Sequence, residues 1–338
     1  MSADVIALKR AEPEGSIEPM LALTAPGMNQ VNQVILDRMQ SEVPLIPALA
    51  GHLISGGGKR LRPMLTLAGA ELVGYSGTRH HKLAAAVEFI HTATLLHDDV
   101  VDGSDLRRGK AAANIIFGNP ATVLVGDFLF SRSFELMTED GSLKVLKILS
   151  GASAIIAEGE VDQLTAQRKI DTSEQRYLHI IRAKTAALFA AASRIAAVVA
   201  ECSEEQEQAL DEYGRNLGVA FQLVDDALDY DSNAAAMGKD RGDDFREGKM
   251  TLPVILAYAR GSEDERAFWK AAIGGFRTED EDLDHAIELI ERHDAVADTK
   301  ARAHHFAQRA IDALSIFPDC KARQAMTQAA LFAVARGY

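Results

Sequence analysis

Two aspartate-rich pentads are the residues in this sequence best suited to chemistry. They are Asp98, Asp99 and Asp102 in the first copy and Asp225, Asp226 and Asp229 in the second. The first and last carboxylates of each pentad are four residues apart, so on a helix they share one face and repel each other. A divalent cation reverses the sign of that interaction, and hard carboxylate oxygens suit Mg²⁺ shared with a substrate phosphate. The two pentads therefore predict a magnesium-dependent reaction of a phosphate compound.

A single pentad of this kind could equally be a solvated acidic turn of a surface helix. Both copies, however, follow strongly apolar segments, residues 93–96 and residues 219–224. Helices with such segments are expected to be buried. A purely solvated role therefore fits a pair of pentads poorly.

Basic residues cluster beside a glycine triplet and after each pentad. These clusters are Lys59, Arg60 and Arg62, then Arg107 and Arg108, then Lys239, Arg241 and Lys249. The net charge of −13 argues against nucleic acid as a partner, because that binding depends on neutralising backbone phosphates. Cations, acids and glycines together indicate a small, highly charged phosphate ligand.

The elements that position these residues are predicted to be helices. Apolar residues recur at helical spacing and period-two alternation is absent, so the fold class is all-α. The predicted helices are residues 28–40, 63–73, 82–102, 119–138, 142–167, 173–200, 203–231 and 251–260, followed by several C-terminal segments. Residues 231–250 lack apolar periodicity and are predicted to be a mobile loop. Residues 1–27 are expected to be loosely ordered, and residues 28–338 to form one large helical domain.

Composition is that of an ordinary globular protein, with 338 residues of which 47% are hydrophobic. The two cysteines, Cys202 and Cys320, lack the spacing of a disulfide scaffold or a zinc site. No stretch approaches the roughly 18 apolar residues of a membrane-spanning helix, and the N-terminus lacks a signal-peptide hydrophobic region. We therefore expect a cytoplasmic protein without a membrane anchor of its own.

Five blocks of this sequence, taken in order, resemble the signature blocks of the trans-isoprenyl diphosphate synthases, most closely those of the long-chain polyprenyl type. They are GGGKRLRP at 56–63, LLHDDVVDGSDLRRGK at 95–110, AKTAALF at 183–189, FQLVDDALDY at 221–230 and GDDFREGKMTLP at 242–253. The resemblance implies a single helical bundle with a central apolar cavity, usually a homodimer. It also implies condensation of isopentenyl diphosphate with an allylic diphosphate such as farnesyl diphosphate, with roughly three Mg²⁺ ions per site.

The resemblance assigns a role to each matching residue. Asp98, Asp102 and Asp225 match the primary metal ligands, and Asp99, Asp226 and Asp229 match residues that orient metals and waters. The allylic diphosphate contacts are Arg107, Lys184, Thr185, Gln222, Lys239 and Lys249, and those of isopentenyl diphosphate are Lys59, Arg62, His91 and Arg108. Lys184 and Arg107 join the three primary aspartates as catalytic residues, because they stabilise charge on the leaving diphosphate. An exposed position on a polar helix face is the alternative for Lys184, and His97 is expected to be structural.

Product length in this family depends on the positions four and five residues before the first aspartate, where a bulky aromatic side chain gives short products. Here those positions hold Ala93 and Thr94. Small side chains leave room for a growing chain, so we expect roughly eight to ten isoprene units, about C40–C50, as in quinone side chains. Phe130, Phe134 and Met137 could form the floor of the tunnel or could be ordinary helix packing.

Other functions remain to be weighed against a long-chain synthase. A farnesyl or geranylgeranyl synthase would differ in chain length only. A terpene cyclase or head-to-head synthase has no use for a second full pentad with the GGGKRLRP block, and the regulatory subunits of heteromeric synthases typically lose acidic motifs that are intact here. Because a long product leaves slowly into water, we expect transient contact with the inner face of a membrane during release.

Overall fold

The computed structural model describes residues 15–55, 59–107, 109–231, 242–275, 277 and 279–335. Within these ranges the regular structure is helical apart from one short antiparallel hairpin, β1 (Leu106–Arg107) paired with β2 (Lys110–Ala111). The predicted all-α class is confirmed. The glycine triplet at 56–58, Arg108 and Lys239 lie outside the described residues.

Long helices account for most of the chain. The α-helices are α1 (Glu18–Arg38), α2 (Leu45–Ser55), α3 (Leu61–Leu72), α4 (Arg79–Val101), α5 (Ala113–Phe117), α6 (Asn119–Asp140), α7 (Leu143–Ala166), α8 (Glu174–Ile181), α9 (Ala187–Val199), α10 (Glu204–Asp229), α11 (Asp243–Glu247), α12 (Leu252–Arg260), α13 (Glu263–Trp269), α14 (Asp280–Arg292), α15 (Ala295–Ala313) and α16 (Lys321–Ala335). Two π-helical segments, Arg182–Ala186 and Lys270–Gly274, and one 3₁₀ turn, Leu314–Ile316, continue adjacent helices.

Helix α1 begins at Glu18, which corrects the expectation that residues up to 27 are loosely ordered. Proline is well tolerated in the first turn of a helix, and Pro19 lies there. Met20 and Thr24 are buried, and α1 packs against α3, α4 and α16. Apolar contact with the core thus orders this segment, while residues 1–14 lie outside the described part of the chain.

The predicted mobile loop at 231–250 contains helix α11. The Asp229 carboxylate accepts hydrogen bonds from the backbone N–H groups of Asp243 and Asp244 at the start of this helix, at 3.2 and 3.1 Å. Phe245 is completely buried. A side-chain cap and one anchored aromatic ring therefore stabilise a helix that has no apolar periodicity of its own. Residues 232–241 lie outside the described ranges.

Five helices form much of the core. Helix α4 packs along α6, and α10 packs along both α9 and α15. One apolar cluster lies around α3, α4 and α9, with Leu65, Ile90 and Phe189 fully buried, and a second lies around α10, α12 and α15. Each buried side chain of this size contributes roughly 1.5–3 kcal/mol, which holds the two pentad-bearing helices, α4 and α10, in place. The central apolar cavity remains a prediction.

The helix predicted at 173–200 is interrupted by the π-helical segment Arg182–Ala186 between α8 and α9. At its point of contact with α10, a Cβ atom added to Gly218 would lie 2.6 Å from the Cα of Ala186. A glycine is therefore required for this close approach. π-Helical segments occur frequently at functional sites. This one places Thr185 against α10, which bears the second pentad, and Lys184 against α7 and the first pentad.

No helix in the described part of the chain is both long enough and apolar enough to cross a membrane.

Candidate active site

Both pentads lie at the C-terminal ends of long helices. Asp98 and Asp99 occupy the last turn of α4 and Asp102 is its C-cap, while Asp225, Asp226 and Asp229 occupy the last turns of α10. The C-terminal end of a helix carries a partial negative charge, so each carboxylate there is disfavoured by about 0.3–1 kcal/mol. Both helix ends therefore favour a cation.

In the first pentad, every carboxylate is paired with a cationic side chain. The pairs are Asp98 with Lys184 at 3.4 Å, Asp99 with Arg107 at 2.6 Å and Asp102 with Lys249 at 3.1 Å. Asp99 is buried, and burial raises its pKa, while the Arg107 guanidinium opposes that rise. The predicted diphosphate contacts thus converge on the first pentad from three different segments.

The two lysines are held between acids. Lys184 Nζ lies 2.6 Å from Glu160 of α7, and Lys249 also pairs with Glu247. Burial lowers the pKa of Lys184, but Asp98 and Glu160 outweigh it and the pKa is raised. The pKa of Lys249 is likewise raised, because Asp244, Glu247 and Asp102 outweigh its burial. Both ammonium groups are therefore fully charged and ready for an anionic ligand.

In the second pentad, Asp226 and Asp229 accept hydrogen bonds from neutral donors. Asp226 is buried and accepts hydrogen bonds from the Tyr177 hydroxyl and from Gln222 Nε2, the latter at 2.8 Å. Burial raises the pKa of Asp226 to about 8 and that of Asp229 to about 6. Asp225 is half-buried. Two of the three carboxylates are thus positioned by hydrogen bonds, which suits the orienting role expected for them.

A first bridge between the pentads passes through the π-helical segment. Lys184 reaches Asp98, and the hydroxyl of the next residue, Thr185, donates to Gln222 Oε1 at 2.8 Å. Gln222 in turn donates to Asp226. Consecutive residues of one segment therefore link the two pentads, Lys184 by direct contact with Asp98 and Thr185 through Gln222.

A second bridge passes through α11. Lys249 pairs with Asp102 of the first pentad and its backbone N–H donates to the Asp244 carbonyl at 2.8 Å. The backbone N–H of Asp244 donates to Asp229 of the second pentad. The two bridges bring the predicted metal ligands into one site, although the sequence places them more than a hundred residues apart.

Of the predicted isopentenyl diphosphate residues, His91 lies on α4, Arg62 lies on α3 and Lys59 lies just before α3. An Arg62 guanidinium nitrogen is 3.0 Å from His91 Nε2, and that guanidinium stacks 4.5 Å from the centroid of the Phe189 ring. Lys59 is exposed, with Nζ 4.2 Å from the Phe332 ring centroid. The structure thus joins Arg62 with His91, and it places Lys59 against α16.

The donor set at the pentads suits magnesium. In the part of the chain that the structure describes, no three His, Cys, Asp or Glu side chains already converge to hold an ion. The carboxylates of Asp98, Asp102 and Asp225 are half-buried, and Mg²⁺ prefers oxygen ligands. Asp98, Asp102 and Asp225 would hold such an ion.

The residues predicted to set product length lie at different depths. Ala93 is completely buried, and the Thr94 hydroxyl donates to the His91 carbonyl at 2.8 Å. Met137 is buried, whereas Phe134 is 38% exposed and contacts Phe130 edge to face. Phe134 is thus partly directed toward the surface of α6.

Three charged or polar partners were not identified from the sequence: Glu160, Glu247 and Tyr177. Glu160 and Tyr177 contact Lys184 and Asp226 across interfaces between segments, so no local spacing reveals them. Glu247 lies only two residues before its partner Lys249. His97 is placed as expected, since Nε2 lies 3.3 Å from the Val123 carbonyl of α6.

Comparison with known proteins gives matches over almost the whole chain. The family model described as polyprenyl synthetase matches residues 43–290. The octaprenyl diphosphate synthase of Haemophilus influenzae is 46% identical over 325 residues, which cover 96% of this chain and 98% of that protein.

Solved structures match equally well. A polyprenyl synthase from Caulobacter crescentus CB15, complexed with calcium and isoprenyl diphosphate, superposes with a TM-score of 0.93 at 53% identity and covers 96% of this chain and 99% of that chain. A decaprenyl diphosphate synthase from Rhodobacter capsulatus superposes with a TM-score of 0.92 at 51% identity and covers 95% of this chain and 99% of that chain.

Proposed function

The chain belongs to the polyprenyl synthetase family, and we propose that within it the protein is a long-chain all-trans polyprenyl diphosphate synthase. The full-length similarity to octaprenyl and decaprenyl diphosphate synthases carries this conclusion. The small residues Ala93 and Thr94 ahead of the first pentad are consistent with it. The products are about C40–C50, since small side chains leave room for a long chain.

The site supports ionisation of an allylic diphosphate. Breaking the allylic C–O bond leaves a resonance-stabilised cation, and negative charge grows on the departing pyrophosphate. Mg²⁺ held by Asp98, Asp102 and Asp225 neutralises much of that charge when bound. Lys184, Lys249 and Arg107 already surround the first pentad and stabilise the remainder.

The second substrate supplies the nucleophile. Lys59, Arg62 and His91 bind and orient the diphosphate of isopentenyl diphosphate, together with Arg108. Its alkene attacks the allylic cation, a new C–C bond forms, and a proton then leaves for the released pyrophosphate. The apolar helices around the site exclude water, which would otherwise quench the cation.

The test is incubation of the pure protein with farnesyl diphosphate, labelled isopentenyl diphosphate and Mg²⁺, followed by chain-length analysis. A ladder that ends near C40–C50 is expected. Products that stop at C15 or C20 would identify a short-chain synthase, and no product would support the regulatory-subunit alternative.

An apolar face on α5, α6 and α7 supports a homodimer. Exposed side chains on these successive, contacting helices include Ile116, Leu124, Val161 and Leu164. Clusters of exposed apolar side chains mark interaction sites. A second copy of the chain is the partner proposed for this face.

Product release involves transient contact with a membrane. Each added isoprene unit brings five carbons, or at most about 4 kcal/mol of further burial, so a finished chain leaves slowly into water. Liposomes should then raise steady-state turnover and leave a single condensation unaffected. Equal effects on both rates would contradict slow release.

A further inference from the structure

Glu160 is the nearest anionic partner of Lys184. Its carboxylate lies 2.6 Å from Lys184 Nζ, whereas Asp98 lies 3.4 Å away. The two side chains are only 25% and 23% exposed. The ammonium group therefore sits closer to an acid outside the pentads than to the aspartate expected to bind the metal.

The backbone around Glu160 fits closely against the segment that bears Lys184. A Cβ atom added to the preceding residue, Gly159, would lie 2.7 Å from the Ala183 Cβ and 2.9 Å from the Lys184 backbone nitrogen. Any side chain at Gly159 would force the two segments apart. The glycine thus lets α7 meet the π-helical segment where the Glu160 carboxylate can reach Lys184.

The ion pair between Lys184 and Glu160 affects the proposed metal site through electrostatics. A partly buried ammonium group needs an anionic partner. If Glu160 were uncharged, Asp98 would be the remaining carboxylate of the described residues within 4 Å of Lys184 Nζ, and the lysine would shift toward it. A lysine held on Asp98 would compete with a divalent cation for the same oxygen atoms.

We propose that Glu160 is a positioning residue that draws the Lys184 ammonium group away from Asp98. Lys184 then remains available for the allylic diphosphate, and Asp98 remains available for the metal ion. This inference rests on the proposed function, because that function assigns Asp98 to the metal and Lys184 to the diphosphate.

The test is Glu160→Gln, which removes the charge and preserves the shape of the side chain. The matched control is Asp162→Asn on the same helix, because Asp162 forms a 2.7 Å ion pair with Arg176 instead of Lys184. Calorimetry measures the binding of inorganic pyrophosphate in the presence of Mg²⁺, and initial rates give the Mg²⁺ concentration for half-maximal turnover.

In Glu160→Gln we expect pyrophosphate affinity to fall about 10-fold and the half-maximal Mg²⁺ concentration to rise by a similar factor, as for other residues that orient metal ligands. The KM for isopentenyl diphosphate should stay unchanged, and the control should match the wild type. Wild-type binding by Glu160→Gln, or an equal loss in the control, would overturn the proposal.

A second variant covers the case in which Glu160→Gln does not fold. Glu160→Asp keeps the charge but retracts the carboxylate by one methylene group, so an intermediate loss of pyrophosphate affinity is expected. An unchanged affinity in this variant would also overturn the proposal. If the wild-type protein binds pyrophosphate but forms no polyprenyl product, the proposed function fails independently of the Glu160 comparison.

Discussion

At the scale of single residues, the two pentads offset their negative charge in different ways. Each acid of the first pentad faces a cationic side chain, whereas Asp226 and Asp229 are held by neutral donors. Mutual repulsion is therefore already reduced before a metal ion binds. Removing one acid should accordingly change the free energy of unfolding little and the reaction greatly.

We predict that Asp98→Ala and Asp225→Ala each lose several orders of magnitude in turnover while retaining the fold. One unit-charge contact at 4 Å is worth about 4 kcal/mol at an effective dielectric constant near 20, or roughly a thousandfold in rate. Steady-state kinetics and thermal melting measure the two effects. The control is Asp312→Ala, which removes the carboxylate of an exposed residue on α15. Near-normal product formation by either pentad variant would refute the metal assignment.

A second residue-scale prediction concerns His80, which is buried near the start of α4. Burial, with a smaller contribution from His81, lowers the pKa of His80 to about 4, whereas an unfolded histidine titrates near 6.5. Between pH 6.5 and pH 4, this histidine is therefore protonated in the unfolded chain and neutral in the folded chain. The contribution of neutral His80 to the free energy of unfolding is therefore complete above about pH 6.5 and is lost as the pH falls toward 4.

Between pH 7.5 and pH 5, His80 should cost the protein about 2 kcal/mol in the free energy of unfolding. Urea denaturation at the two pH values measures this difference. The difference in unfolding free energy between the two pH values should be smaller in His80→Gln. It should be unchanged in the control His305→Gln, because His305 is exposed. An identical pH dependence in His80→Gln would show that other groups are responsible.

At the scale of the secondary-structure elements, the residues proposed for substrate binding, the tunnel and the metal site share one helix, α4. His91, Ala93 and Asp98 follow one another within about two turns. Because α4 packs closely along α6, the space beside Ala93 depends on the size of that side chain. The length of the product should therefore be controlled at this interface.

Ala93→Tyr should shift the products toward short chains and leave the first condensation nearly unchanged, because the new ring would block the growing chain. Product chromatography gives the length, and thermal melting checks that the buried substitution is tolerated. Thr92→Tyr adds the same ring one residue earlier, about 100° around the helix, and should retain long products. An unaltered ladder from folded Ala93→Tyr would mean that the chain grows elsewhere.

At the scale of the whole molecule, the apolar face on α5, α6 and α7 should be the surface through which two copies associate. Leu124, on α6, is 66% exposed. Leu124→Lys should weaken the dimer by about 2 kcal/mol or more, because it would bury an unpaired charge in an apolar contact. Sedimentation velocity measures the change, with Ile316→Lys as the control on a different segment. A wild-type monomer at assay concentration would contradict the proposal.

The sequence by itself determined the acidic pentads, the basic clusters and the all-helical class. Residue chemistry and 3.6-residue periodicity are local properties, so α4, α6, α7, α10 and α12 were predicted close to their actual bounds. The predictions missed helix α11 and began α1 at residue 28 instead of Glu18. A carboxylate cap from Asp229 stabilises α11, and contacts with the core stabilise the start of α1.

Only the tertiary structure decided which charges meet. Lys184 lies between Glu160 and Asp98, and Tyr177 donates to Asp226, although no spacing along the chain links these residues. Their pairing depends on where helices cross, and the crossings depend on close packing at positions such as Gly159 and Gly218. Local pattern can therefore name the acids proposed to bind a metal, but the partners that orient these acids follow from helix packing.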